Sequence, residues 1–271
     1  MKVFVLGASG MIGNYVCHYI KGSVGVLRSQ VNALHIRKEL FFKEMITLGA
    51  KEGDVIINTI GITNKHTDNF MDFIVVNSLF PRLLADYCEE HSINMIHLST
   101  DCVFSGEKGQ YSEYDDHDDQ NIYGISKSAG EPRNCSIIRT SIIAENKNNS
   151  KDLLEWVRKT KNGVLYGYTH HFWNGITGLQ FAKICKEIID KNIFWRGVVH
   201  IFSPDSISKH DLIQIISDVY ELNNTIKDSA SRTKHNETPH CDRTLISVHK
   251  IKFNIPPIRE QLIELKNYKW T

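Results

Sequence analysis

The sequence predicts an α/β protein, a doubly wound and mostly parallel sheet with a smaller C-terminal portion. Three observations carry this. Short apolar runs suited to buried parallel strands alternate with longer stretches of helical spacing. The first run, residues 2–6, passes straight into Gly7-Ala-Ser-Gly10-Met-Ile-Gly13 and then into a helix. The chain's 271 residues suffice for one large domain, or a dominant domain with an appendage, burying roughly 70–75% of the surface its unfolded form exposes.

After the strand at 2–6, Asn14 to Ile20 reads as a helix and Val24 to Leu27 as a second strand, ending at Arg28. Lys38 to Leu48 is helical and Asp54 to Asn58 is the third strand. Asn77 to His91 spaces Leu79, Leu83, Leu84, Tyr87 and Cys88 to face the sheet. If Ser78 caps that helix, Pro81 lies in the first turn, where backbone N–H groups lack intrahelical partners anyway. Asn94 to Leu98 is the fourth strand, running into Ser99-Thr100-Asp101. A polar loop leads to a helix from Tyr123 to Glu131 and a strand from Ser136 to Arg139. The last third is less regular. Helices are expected at 152–161, 176–191 and 208–221, a strand from Val198 to Phe202, a polar tail over 223–258 and a final amphipathic helix at 259–267. Residues 1–140 then form mainly a nucleotide-binding portion and 141–271 mainly a substrate-binding portion, with later segments able to return to the central sheet.

Composition narrows the function. Lys and Arg total 32 against 31 Asp and Glu, a formal charge of +1, which gives no footprint for nucleic acid. Six cysteines are dispersed without a Cys-x-x-Cys pair, as small core residues of a reducing compartment are. The N-terminal apolar run is too short for a signal peptide, and none approaches the ~20 residues of a membrane span, so a cytoplasmic protein without membrane association is expected. Asp115, Asp116, Asp118 and Asp119 around His117 lack a calcium-loop pattern and read as a solvated loop. His170-His171 has no third ligand placed by the sequence, so no metal site is expected.

Gly7, Gly10 and Gly13 follow a strand and open a helix, the context of a dinucleotide cradle. Missing side chains permit a tight turn and close approach of a pyrophosphate, and the helix start supplies free N–H groups. The spacing is Gly-x-x-Gly-x-x-Gly rather than Gly-x-Gly-x-x-Gly. Arg28 closes the second strand where a carboxylate would bind the ribose of NAD; an arginine there favours the 2′-phosphate of NADP. The alternative is that Arg28 and Arg37 merely solvate a sheet edge.

Tyr123 and Lys127 lie four residues apart, on one helical face. A neighbouring ammonium favours the phenolate and brings proton exchange within reach of neutral pH. Thr100, at a strand's C-terminal end, can donate to the same substrate oxygen. Arg139 and Arg243 offer paired donors for a diphosphate.

Together these segments resemble the extended short-chain dehydrogenase/reductases, and within them the dTDP-4-dehydrorhamnose reductase branch and related nucleotide-sugar reductases. The resemblance rests on Gly7 to Gly13, Ser99-Thr-Asp-Cys-Val-Phe-Ser-Gly106, Tyr123-Gly-Ile-Ser-Lys-Ser-Ala-Gly-Glu131, Ile138-Arg-Thr140 and Phe172-Trp-Asn-Gly-Ile-Thr177. It implies a Rossmann-like sheet and NAD(P)H-dependent reduction of the C4 ketone of a nucleotide-linked 4-keto-6-deoxysugar, in the synthesis of polysaccharide precursors. Thr100 then polarises the carbonyl, Tyr123 donates the proton, and Lys127 tunes Tyr123 and contacts the nicotinamide ribose. Cofactor contacts are implied for Ser9, Gly10, Met11, Ile12, Asn58, Thr59, Ile60, Asn77 and Ser99. Substrate contacts are implied for Asp101, Val103, Phe104, Trp173 and Asn174, with a core role as the alternative for Trp173 and a turn role for Asn58. The resemblance is compatible with a homodimer. Cys102 stands where the family commonly has Tyr, and Asn121 where Pro is often found. Epimerisation, dehydration and a non-catalytic NAD(P)-sensing role are the competing readings; Cys102 in place of a second acid argues against dehydration.

Overall fold

In the computed structural model, residues 1–35, 38–64, 66–146, 152–229, 239–250 and 253–270 are described. Arg37 and part of the polar tail lie outside them. Strands β1 (Val3–Leu6), β2 (Val24–Val26), β3 (Val55–Asn58), β4 (Asn94–Thr100) and β5 (Ser136–Thr140) join in one sheet with β10 (Gly197–His200). The order is β10-β5-β4-β3-β1-β2, and every pairing is parallel. This is the Rossmann-like doubly wound sheet the sequence predicts. The chain grows first from β1 to β2, then returns to the other side of β1 to lay down β3. At such a reversal the connections leave in opposite directions and open a crevice beyond the strands' carboxyl ends.

Both faces of the sheet are buried because successive residues of its central strands are apolar, so the side chains on either side of the pleat avoid water. Val3, Val5, Ile57, Ile96 and Ile138 pack beneath α1 (Met11–Tyr19) and α7 (Gly178–Asp190). Phe4, Leu6, Ile56, Met95 and Ile137 pack against α2 (Lys38–Leu48) and α4 (Phe80–Glu90).

The expected helix at 77–91 differs at its start. It begins as α3 (Phe70–Phe73), capped by the Asn69 side chain, and passes through a π-helical turn, Ile74–Leu79, into α4. Ser78 is therefore no cap; its hydroxyl donates to the Ser126 carbonyl at 2.7 Å. The wide turn sits just before Pro81, whose ring would clash with the carbonyl four residues back in a regular helix. Its extra residue rotates the face, so Leu79 is 40% exposed while Val75, Val76 and Phe80 take the buried positions.

The later segments build small sheets around the strand ends. The strand β8 (His171–Trp173) lies between β11 (Ile207–Ser208) and β13 (Cys241–Asp242), and β7 (Val164–Gly167) pairs with β12 (Thr225–Asp228). Helices α6 (Leu153–Lys159), α8 (Lys209–Val219) and α9 (Ile258–Asn267) fall close to their expected spans. Among the described residues, no helix is long and apolar enough to cross a membrane.

Candidate active site

The turn after β1 is built around two close approaches. Gly7 has φ +82°, in the left-handed region, and the Gly10 N–H donates to its carbonyl at 2.8 Å. A Cβ on Gly13 would lie 2.2 Å from the same carbonyl oxygen. The absence of side chains thus lets α1 start directly above the strand, with its first-turn N–H groups open to an anion. Across the turn, the Thr59 hydroxyl donates to the Leu6 carbonyl at 2.7 Å, pinning the end of β3 to that of β1.

A cleft of about 730 Å³ runs from this turn to the carboxyl ends of β4 and β5. Ser9, Gly10, Met11 and Ile12 line one end, and Thr100, Tyr123 and Lys127 the other. Helix α5 (Ile122–Ala129) can reach Thr100 because Gly124 has no side chain: a Cβ there would lie 2.3 Å from the Cys102 carbonyl oxygen. Thr100 ends β4, and its hydroxyl accepts from the Cys102 N–H and donates to Asp101 Oδ1, both at 3.2 Å. The Lys127 ammonium donates to the Leu98 carbonyl at 2.8 Å.

Electrostatics differ from the simple ammonium–phenolate pairing expected from the spacing. Burial raises the Tyr123 phenol above its ordinary range, the neighbouring Cys102 and Asp101 add to this, and a hydrogen bond with Thr100 opposes it. Tyr123 is a neutral phenol, the form that can donate a proton. Burial pulls Lys127 down to about 8, with the Glu131 carboxylate acting in the opposite direction.

Of the other residues expected at the site, Thr59, Ile60, Asp101 and Arg243 line the same cleft. Arg28 and Gly7 line an adjoining pocket of about 420 Å³ that shares Ser9, Gly10, Thr59 and Ile60. Several expected contacts lie elsewhere. Arg139 is 1% exposed and directs its donors to Glu131, His117 and His200, so it does not face the cleft. Val103 and Phe104 are core residues, Phe104 stacked on Tyr111 at 4.2 Å. Trp173 is buried in β8, with the Lys209 ammonium 5.0 Å from its ring centre. Asn174 uses both ends of its amide on the backbone of Leu245. Asn58 accepts from the Ile60 N–H and donates to His97 Nδ1, the turn role. Asn77 holds the backbone of Ile62, and Ser99 donates to Glu131. These last three shape the wall without lining it. Arg243 reaches the cleft, but its Nε donates to the Phe104 carbonyl at 2.7 Å and its Nη2 to Asp119 at 3.2 Å.

Sequence reasoning missed Thr140, Ser141 and Ile142, which line the cleft beyond β5. The signal was available: the carboxyl end of any parallel strand near the reversal faces the crevice. In the acidic loop, Asp115 pairs with Lys108 and Asp118 binds Ser105. Among the described residues no group of three His, Cys, Asp or Glu is placed to hold a metal ion.

The family match, together with the cleft, places the chain among NAD(P)-dependent oxidoreductases. The chain belongs to the RmlD substrate binding domain family, whose model matches residues 1–264. This membership supports reductase activity on nucleotide sugars in general. A probable low-salt glycan biosynthesis reductase of Haloferax volcanii, Agl14, is 25% identical over 253 residues, 85% of this chain and 84% of that protein. A dTDP-4-dehydrorhamnose reductase from Clostridium acetobutylicum superimposes with a TM-score of 0.79 at 19% identity, covering 98% and 99% of the two chains. One from Bacillus anthracis, in complex with NADP, gives 0.77 at 17% identity over 98% and 99%. Structures similar to this chain hold NADP in one case and NAD in another, so the fold alone does not select the cofactor.

Proposed function

We propose that the protein reduces the C4 ketone of a nucleotide-linked 4-keto-6-deoxysugar to the alcohol, using a nicotinamide dinucleotide held over Gly7, Gly10 and Gly13. The observation that carries this reading is the single cleft joining that turn to Thr100, Tyr123 and Lys127. The cradle fits the group: the turn has no Cβ at its three closest approaches, and its helix start offers N–H donors to a pyrophosphate. When bound there, the reduced dinucleotide supplies the hydride. Thr100 donates to the ketone oxygen and polarises it. Tyr123 transfers its phenolic proton to that oxygen as negative charge develops. Lys127 stabilises the phenolate left behind, which water then reprotonates.

A panel of dTDP-, UDP-, GDP- and CDP-linked 4-keto-6-deoxysugars, assayed with NADPH and NADH, tests this. One mole of cofactor oxidised per mole of alcohol is expected for at least one member. Binding without alcohol formation would sink the reading, and conversion without net cofactor oxidation would indicate epimerisation or dehydration instead.

We also propose NADP as the preferred cofactor, because exposed Arg28 lines the pocket beside Gly7 and Ile60 where the adenosine ribose would lie. A charge-assisted hydrogen bond to a 2′-phosphate is worth about 1.5–3 kcal/mol. Arg28→Ala should therefore raise KM for NADPH about ten- to a hundredfold and leave KM for NADH nearly unchanged; equal effects on both would remove Arg28 from that role. The same reading includes residues 141–271 as the main substrate side, a cytoplasmic setting and a homodimer, the last measurable by light scattering.

A further inference from the structure

The segment that follows α9 folds back along α1. Tyr268 Oη lies 2.9 Å from His18 Nδ1, and the Tyr268 ring meets those of His18 at 5.5 Å and Tyr19 at 6.5 Å. Two residues on, the Trp270 ring is 4.6 Å from Tyr15 and 4.9 Å from His18. Trp270 also lines a cavity of about 300 Å³ with Ser9, Gly10, Met11 and Asn14. The contacts thus move from the last turn of α1 to its first, and the segment runs toward the glycine turn.

Two features set this apart from mere packing on α1. The cavity shares Ser9, Gly10, Met11 and Asn146 with the cleft, so it continues the cleft past the phosphate turn. Tyr15 is 1% exposed, whereas Trp270 stays 37% exposed, so the rings of α1 cover only part of the indole. Glu145 lines the cavity too, but its carboxylate accepts from Tyr220 Oη at 2.7 Å and lies 3.8 Å from Arg158 Nη1. Its charge is therefore compensated beside a turn that suits an anion.

We propose that Trp270 is a cofactor-binding residue, its indole forming the outer wall of the phosphate end of the dinucleotide site. The proposal rests on the reading above that a nicotinamide dinucleotide lies over Gly7, Gly10 and Gly13. The first-turn N–H groups of α1 supply the donors for a pyrophosphate. Trp270 supplies a broad apolar surface that keeps water from them, and hydrogen bonds to charge strengthen as the local dielectric falls. Tyr15, His18 and Tyr268 hold the indole in place before any ligand arrives, so little ordering remains to be done on binding.

The test titrates NADP⁺ and NAD⁺ calorimetrically and carries the tighter ligand forward. Trp270→Ala should raise its Kd about five- to thirtyfold, the effect of stripping a large apolar surface from one side of a site. Trp270→Phe keeps a ring against Tyr15 and serves as a spectroscopic blank. Subtracting its emission from that of wild type isolates Trp270 from Trp156, Trp173 and Trp195. The difference spectrum should change when the ligand saturates the protein, because the bound phosphates alter the surroundings of the indole. A Kd within about twofold of wild type in Trp270→Ala overturns the proposal. So does a raised Kd with an unchanged difference spectrum, the pattern that distant damage to α1 would give. Where the Ala variant does not fold, the difference spectrum alone decides. Wild-type protein that binds neither dinucleotide sinks the cradle reading itself, a result distinct from binding that survives loss of the indole.

Discussion

Tyr123→Phe should lower kcat about 10²- to 10⁴-fold, the range attributable to one positioned general acid, while NADPH affinity stays close to wild type. The ring is retained, so the packing of α5 against the Cys102 loop, which Gly124 makes possible, is undisturbed. What is lost is the phenolic proton and a hydrogen-bonding partner of Thr100. Because burial already disfavours the phenolate, removing the hydroxyl exposes no charge and should leave Tm within a few degrees of wild type. The loss should appear in kcat and kcat/KM alike, the signature of an interaction made in the transition state. Stopped-flow oxidation of NADPH, with cofactor binding followed separately, measures both quantities. Unchanged turnover would take Tyr123 out of the chemistry; an equal collapse of NADPH affinity would instead assign it to binding.

The convergence of Tyr123 and Lys127 on one cleft is legible because its logic is local. Tyr123 and Lys127 share a helical face by spacing alone, and a strand running into Gly7, Gly10 and Gly13 announces a tight turn wherever it occurs. Thr100 was legible from its place at a strand end. Residues whose roles depend on distant partners were not. Arg139 reads in sequence as a pair of free donors, but it stands on β5 on the face covered by α4 and α5, where Glu131, His117 and His200 converge from three other segments. Trp173 and Asn174 sit in a family-like stretch, yet β8 is flanked by β11 and β13, strands drawn from much further along the chain, and both side chains are buried. The π turn at Ile74–Leu79 was hidden for a different reason: a regular period extrapolated backward from Leu84 cannot register one inserted residue. Tyr123 shows the same division. Its position was readable, but the sign of its pKa shift was not, because that shift is dominated by burial, which the whole site contributes.

Gly13→Ala should damage the fold and the cofactor site together. The added Cβ would lie 2.2 Å from the Gly7 carbonyl oxygen, 2.7 Å from its carbon and 2.8 Å from Thr59 Oγ1. None of these is the free end of a flexible side chain. Gly7 is held at φ +82° between β1 and α1, and Thr59 is tied to Leu6 by its hydroxyl. The strain must spread into the backbone of the turn, costing about 1–3 kcal/mol or more of stability. It also displaces the N–H groups at the start of α1, and a loss of that size in binding weakens NADPH about ten- to a hundredfold. Gly10→Ala separates the two effects. A Cβ there would meet only the Gly7 oxygen, at 3.1 Å, while Gly10 lines the cleft. Its Tm should stay near wild type while NADPH affinity falls, because the methyl group occupies space that a pyrophosphate needs. Thermal unfolding and fluorescence titration of the two variants give the comparison, and wild-type NADPH affinity in both would show that the dinucleotide does not lie across this turn.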